Sequence, residues 1–323
     1  MRHMHIKIWP ETVSYLPAFI PFEKIDYTKS NPINIDFSNT VAVTSSGLTL
    51  VLLEILKVIS KSNTKKWLYE EPIANDIALL INEIGLPSLL QKKLKFQTLF
   101  SLEWNKNPKE INLIQDDRSV IHFPIYEFDY SNKSIEEKRE AVNDFREYLF
   151  EKLKFLFDDY KFKINKLIQI FTEMAKNSAD HSENNAYFGL DIFIHKSFFS
   201  IQFAFADMGI GINKNVRSYF LENPELQKAQ RAKHLGLVET YHFALSPGKS
   251  TKPNSKINRG IGMTIILDVS KDLNINLSVF DAASRGILSK IEKVSHDDLR
   301  KIFYAMNKEV GFYYYGELKK VFE

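Results

Sequence analysis

Apolar and polar positions alternate from Ile33 to Phe37 (INIDF), the period of a strand, because successive side chains of extended backbone point to opposite faces. Ser45-Ser46-Gly47 then leads into Leu48 to Ile59, an apolar-rich run at helical spacing, so a strand-turn-helix unit is expected. Lys66 to Glu70 reads as a further strand. Helical spacing returns from Asn75 to Ile84 until Gly85-Leu86-Pro87 interrupts it, and a short helix from Ser88 to Lys93 follows. Residues 94–119 carry no clear period. From Val120 the run VIHFPIYEF is extended in character. Ser134 to Phe157 is a charged amphipathic helix with Ser134 at its N-cap and Glu137 three residues on, the spacing of a capping box. A helix from Ile164 to His181 and two strands, Ala186 to Ile194 and Phe199 to Ala206, lead to Asp207. Ser246 to Asn258 holds two prolines and three lysines and is a loop by composition. A helix from Met263 to Leu273 and strands Ile275 to Phe280 and Gly286 to Ile291 come next. A terminal helix, Ser295 to Lys308, is expected to be packed down by the aromatic cluster Phe312 to Tyr315.

At 323 residues the chain exceeds one ordinary domain, so two α/β domains are expected, spanning 1–95 and 96–323, with the boundary somewhere within 94–119. The 44% hydrophobic and 26% charged residues are ordinary for a folded chain. A net charge of +3, from 43 Lys and Arg against 40 Asp and Glu, carries no nucleic-acid signature. The start, MRHMHIKIWP, interleaves Arg2 and Lys7 with polar residues where a secretory signal needs an unbroken apolar stretch. The apolar run Leu48 to Ile59 contains Glu54 and Lys57 and falls short of the roughly 20 residues of a bilayer span, so no membrane partner is expected. With no cysteine, disulfides and thiolate metal sites are excluded, which fits a cytoplasmic setting.

In FTEMAKNSADHS, Glu173, Asn177 and Asp180 are spaced to project from one helix face, beside apolar groups such as Leu167, Ile170 and Phe171. That polar stripe is either a solvated face or the wall of a cleft. Asp207 closes an apolar strand, and DMGIGI follows it with Gly209 and Gly211, where backbone can approach a flat ligand without a Cβ in the way. RGIGM repeats the device: Gly260 and Gly262 precede a helix whose free N-terminal amides attract phosphate. Each glycine pair alone occurs in many turns and calcium loops. Their order and flanking elements make the pattern.

The series E-x-x-x-N-x-x-D, D-x-G-x-G and R-G-x-G-M resembles the N, G1 and G2 boxes of the GHKL superfamily, the Bergerat-fold ATPases, over about Val120 to Glu292. The resemblance implies a two-layer α/β sandwich binding ATP and Mg2+ under a mobile lid at about residues 213–258. By it, Asn177 would ligate the metal, with Asp180 in the metal and nucleotide shell. Asp207 would accept from the adenine amino group, beside Gly209, Gly211 and Ile212. Gly260, Ile261, Gly262, Met263 and Thr264 would wrap the phosphates, and Glu173 would be the general base. A carboxylate one helical turn from the metal ligand can take a proton from water or from a protein hydroxyl, and the sequence leaves both open. Lys249, Lys252, Lys256 and Arg259 lie in or beside the lid, as cations for the triphosphate or as solvated loop residues. His181 resembles the E-x-x-x-N-x-x-x-H box of anti-sigma-factor serine kinases, or else serves as a helix C-cap.

Ile33 to Lys93 resembles the strand-turn-helix of STAS domains, in which Ser45 would correspond to a phosphorylated serine, with Thr44 replacing the usual acid. As a residue at a helix start, Ser45 would be exposed, or would be the N-cap. The expected function is an ATPase switch that uses Glu173 as base and whose lid closure controls a protein partner or a homodimer. A protein serine/threonine kinase and a non-catalytic ATP sensor are the alternatives.

Overall fold

A helix begins where a side chain or a distant group can satisfy its first amides, and the N-terminal part of the chain is built around one such start. The structure is a computed structural model that describes residues 4–7, 33–38, 40, 42–61, 67–93, 108–115, 117–160, 164–181, 185–226, 235–251 and 261–322. The chain divides into two compact units, one comprising Met1–Tyr126, Tyr187–Ala206 and Lys319–Glu323, the other Glu127–Ala186 and Asp207–Leu318.

In the first unit, β1 (Met4–Lys7), β2 (Ile33–Asp36) and β3 (Trp67–Glu70) form a parallel sheet. Every residue of β2 is buried. Parallel neighbours need a crossover, and α1 (Ser45–Lys61) supplies it between β2 and β3. Thr44 caps α1, its Oγ1 accepting from the Gly47 amide at 3.1 Å. The amides of Ser45 and Ser46 donate to Asp191 Oδ1 and Oδ2 at 2.7 and 2.9 Å, and His122 Nδ1 lies 2.8 Å from Oδ1. Asp191 is fully buried, so the positive end of α1 is neutralised from within the fold. The expectation for Ser45 is corrected here. It is the first helical residue rather than the cap, it is fully buried, and its hydroxyl donates to the Phe123 carbonyl at 2.5 Å.

α2 (Asn75–Ile84) ends at Gly85, whose φ of 93° is left-handed and whose amide donates to the Asn82 carbonyl, and α3 (Leu86–Lys93) follows. Within 94–119 the structure adds an unexpected strand, β4 (Ile111–Gln115), antiparallel to β5 (Arg118–His122). The expected strand VIHFPIYEF is divided into β5 and β6 (Tyr126–Phe128), because Pro124 between them has no amide to give a ladder. β5 pairs antiparallel with β7 (Ala186–His195), and the two residues Lys196-Ser197 turn β7 into its neighbour β8 (Phe198–Asp207).

In the second unit, α4 (Ile135–Tyr160) opens with the expected capping box: the Ser134 amide donates to Glu137 Oε2 at 2.7 Å, and the Glu137 amide to Ser134 Oγ at 3.2 Å. α5 (Ile164–His181) packs against α4 and α8 (Gly262–Asp272). The expected lid span holds two helices that pack on each other, α6 (Gly211–Glu222) and α7 (Leu237–Leu245), with Phe220 and Phe243 edge to face at 5.2 Å. Part of that span, residues 227–234 and 252–258, lies outside the described residues.

Two expectations for the C-terminal part are corrected. Strands Ile275 to Phe280 and Gly286 to Ile291 are one strand, β9 (Asn276–Ile287), followed by a short 3-10 turn, Leu288–Lys290. The helix expected to reach Lys308 stops as α9 (His296–Ile302), capped by Ser295, and the chain continues as β10 (Phe303–Val321), antiparallel to β9. Ladder pairing with β9 replaces helical bonds from Phe303 onward. Gly286 opposite Phe303 makes room for its ring, since a Cβ there would fall 2.0 Å from a ring carbon. The aromatic cluster therefore belongs to a strand, where Tyr313 stacks on Phe280 at 4.5 Å. Both units are mixed α/β with antiparallel strands and helices. Among the described residues no helix is long and apolar enough to cross a membrane.

Candidate functional site

The second unit contains a cavity of about 700 Å3, including its open mouth. α5 contributes Asn177 and His181, the end of β8 contributes Asp207, and the following turn contributes Gly209. The first turns of α6 and α8 add Gly211, Ile212 and Asn215, and Gly262 and Met263. Phe243 and Ala244 of α7, Lys249 to Thr251 after it, and Phe312 and Tyr314 of β10 complete the described wall together with Val216.

Asp207 is buried, and its Oδ1 accepts the Gly209 amide at 2.7 Å. A Cβ on Gly209 would stand 2.6 Å from that oxygen, so a larger residue there would push the Asp207 carboxylate aside. Gly211 has a φ of 79°, and a Cβ there would meet Asp281 Oδ1 at 1.9 Å. Asp281 explains the close approach. It serves the start of α6, where its Oδ2 accepts the Asn213 amide at 2.7 Å and lies 3.3 Å from the Tyr241 hydroxyl. Burial raises its carboxyl above the ordinary value, while hydrogen bonds from Asn213, Tyr241 and Ile212 pull the other way.

The three polar residues of the α5 stripe separate in the structure. Asn177 lines the cavity. Glu173 and Asp180 are buried outside the described lining, and Glu173 Oε1 is paired with Lys176 Nζ at 2.7 Å. His181 ends α5 and faces the cavity, its Nδ1 3.0 Å from Asn215 Nδ2. Ile212, Lys249, Gly262 and Met263 reach the wall, whereas Ile261 and Thr264 flank it. Arg259, Gly260, Lys252 and Lys256 lie outside the described residues. Ile261 stands at the N-cap of α8 and has no side-chain acceptor to offer, so the first amides of α8 suit an anionic ligand.

Sequence reasoning missed Asp281, Asn215, Phe243, Phe312 and Tyr314. Tyr314 is part of the cavity wall, and its hydroxyl donates to Met263 Sδ at 2.9 Å. Burial, with Asp207 and Asp281 nearby, pushes that phenol well above its ordinary range, so it remains neutral. The four consecutive aromatics Phe312 to Tyr315 carry no alternation that would single out the ones at the cavity, and they were expected only to pack down a terminal helix.

Among the described residues, no group of three or more His, Asp or Glu converges as a metal cage. Asn177 supplies one hard amide oxygen. That fits Mg2+, which keeps several waters and takes its remaining ligands from nucleotide phosphates. No protein-family model matches the chain, and no curated protein matches it.

Proposed function

We propose that the second unit binds Mg-ATP in this cavity and works as a nucleotide-driven switch of the GHKL kind. The observation that carries the reading is convergence: Asn177, the Asp207-to-Gly211 turn and Gly262-Met263, from three distant stretches of sequence, line one cavity. Each brings a fitting chemistry. A buried carboxylate anchored by Gly209 is an acceptor for the exocyclic amino group of adenine, whereas a guanine carbonyl in that place would meet like lone pairs. Phe243 and Phe312 offer apolar faces, and the α8 amides with Lys249 suit phosphate oxygens. Asn177 would hold Mg2+, which when bound neutralises phosphate charge.

Binding of the nucleotide would draw α6, α7 and the Lys249 loop onto the phosphates, and that closure is what a partner or second copy would sense. Glu173 stands one helical turn before Asn177, the right distance along the helix for a general base, but its carboxylate is engaged by Lys176. Lys176 holds Oε1, so proton abstraction falls to Oε2 unless that pair opens. This ion pair favours a second reading, a sensor that binds ATP with little turnover.

Steady-state ATP turnover by the full chain separates the two. The switch with hydrolysis predicts turnover that falls at least about 100-fold in Glu173→Ala, the scale of a lost general base, while ATP still binds. Equal turnover by both proteins removes Glu173 from the mechanism. Tight binding with no turnover by wild type establishes the sensor.

A further inference from the structure

Two helices of the cavity wall share one anchor on a third element. α6 has no side-chain cap of its own, and its start is held from β9 by Asp281, whose Oδ2 accepts the Asn213 amide at 2.7 Å. The same oxygen accepts the Tyr241 hydroxyl of α7, at the longer distance of 3.3 Å. Neither group can turn to water instead, because Asp281 is 2% exposed and Tyr241 is fully buried. The other carboxylate oxygen lies against Gly211, where a Cβ would stand 1.9 Å from it, and the Tyr241 ring rests on Phe303 with centroids 4.0 Å apart. Both helices carry cavity residues: Gly211, Ile212 and Asn215 on α6, and Phe243 and Ala244 on α7, with Lys249 after it.

We propose that Asp281 is a positioning residue, a pivot on β9 that joins α6 and α7 so that both helices respond to nucleotide as one body. This rests on the Mg-ATP reading of the cavity. α6 follows directly from the turn after Asp207, where adenine is expected, whereas α7 leads to Lys249, which is expected at phosphate. Packing between the helices, through Phe220 and Phe243, is non-directional and by itself lets them slide. One carboxylate oxygen shared by an α6 amide and an α7 hydroxyl is directional, so a displacement of either helix is felt by the other. A nucleotide that finds the two helices already joined binds without first ordering them. Loosening the joint lowers the apparent affinity in proportion to the fraction of chains still correctly set.

The test uses the full chain, with calorimetric titration of ATP in Mg2+ and hydrogen exchange read by mass spectrometry, for wild type, Tyr241→Phe, Asp281→Ala and the double variant. Tyr241→Phe keeps the ring and its stacking on Phe303, so it decides the matter alone if circular dichroism shows that Asp281→Ala does not fold. In wild type, ATP is expected to slow exchange in α6 and α7 together. In Tyr241→Phe the slowing in α6 stays and that in α7 falls at least about twofold, with ATP bound about threefold more weakly, the scale of one buried hydrogen bond. Asp281→Ala is expected to lose the slowing in both helices and to bind ATP at least about 10-fold more weakly, and in that background Tyr241→Phe should change affinity by less than about twofold. ATP-dependent slowing in only one helix of wild type overturns the proposal. So does faster exchange of α7 in Tyr241→Phe by the same factor with and without ATP, which would mean a purely structural role. A wild-type chain that binds no ATP overturns the Mg-ATP reading and the joint together, whereas ATP binding by wild type with an unaltered Tyr241→Phe overturns only the joint.

Discussion

Residues whose roles are decided by near neighbours in the chain were legible. Ser134 and Glu137 are three apart, and the reciprocal hydrogen bonds of the capping box form between them. Ser45 was not legible, because the group that decides its environment, Asp191, lies 146 residues away. Asp281 escaped notice for the same reason: it serves the start of α6 from 68 residues downstream. The capping box makes a prediction at this scale. Hydrogen bonds from Ser134 lower the carboxyl of Glu137 below its ordinary 4.5. A depressed folded pKa contributes stability that is present above the unfolded value and lost as pH falls through the folded one. Thermal melts of wild type and Glu137→Gln should therefore coincide in strong acid and separate above pH 4.5, with wild type the higher. A gap of constant size at every pH would show that the carboxylate charge is not what Ser134 recognises.

Elements with a strong local period and a clear stop were read to the residue, as with α2 over Asn75–Ile84 and α5 over Ile164–His181. β10 was mistaken for helix beyond Ile302 because its extended form depends on pairing with β9, which local spacing does not encode. α6 was hidden inside a supposed lid, since its start is secured by Asp281 rather than by a capping residue of its own. In the first unit, the packing of α1 against β7 depends on Gly189. A Cβ there would lie 2.2 Å from Thr49 Oγ1 and 2.3 Å from the Ser45 carbonyl oxygen. The hydroxyl can rotate away but the carbonyl cannot, so α1 must shift and disturb the amides bound to Asp191. Gly189→Ala is expected to cost about 1 to 3 kcal/mol, read as a lower urea midpoint at an unchanged slope. A midpoint within error of wild type would mean that the helix is not seated on the strand as described.

At the scale of the whole molecule, the sequence motifs supplied the residues, and folding supplied their company. Asn177, Asp207, Gly209, Gly211, Gly262 and Met263 come together in the second unit, and Phe243, Phe312 and Tyr314 join them from elements whose part in the cavity the spacing of motifs did not announce. Glu173 and Asp180 share the α5 stripe in sequence but not the cavity wall, because a helix face is wider than the opening it borders. The central claim is that this cavity takes adenine at Asp207. Calorimetric titration of the full chain with ATP, run beside Asp207→Ala and with GTP as competitor, tests it most directly. The account predicts saturable binding of one ATP per chain, weakened at least about 10-fold in Asp207→Ala, with GTP failing to compete. Equal affinity of wild type and Asp207→Ala for ATP, or no ATP binding by wild type, would contradict it.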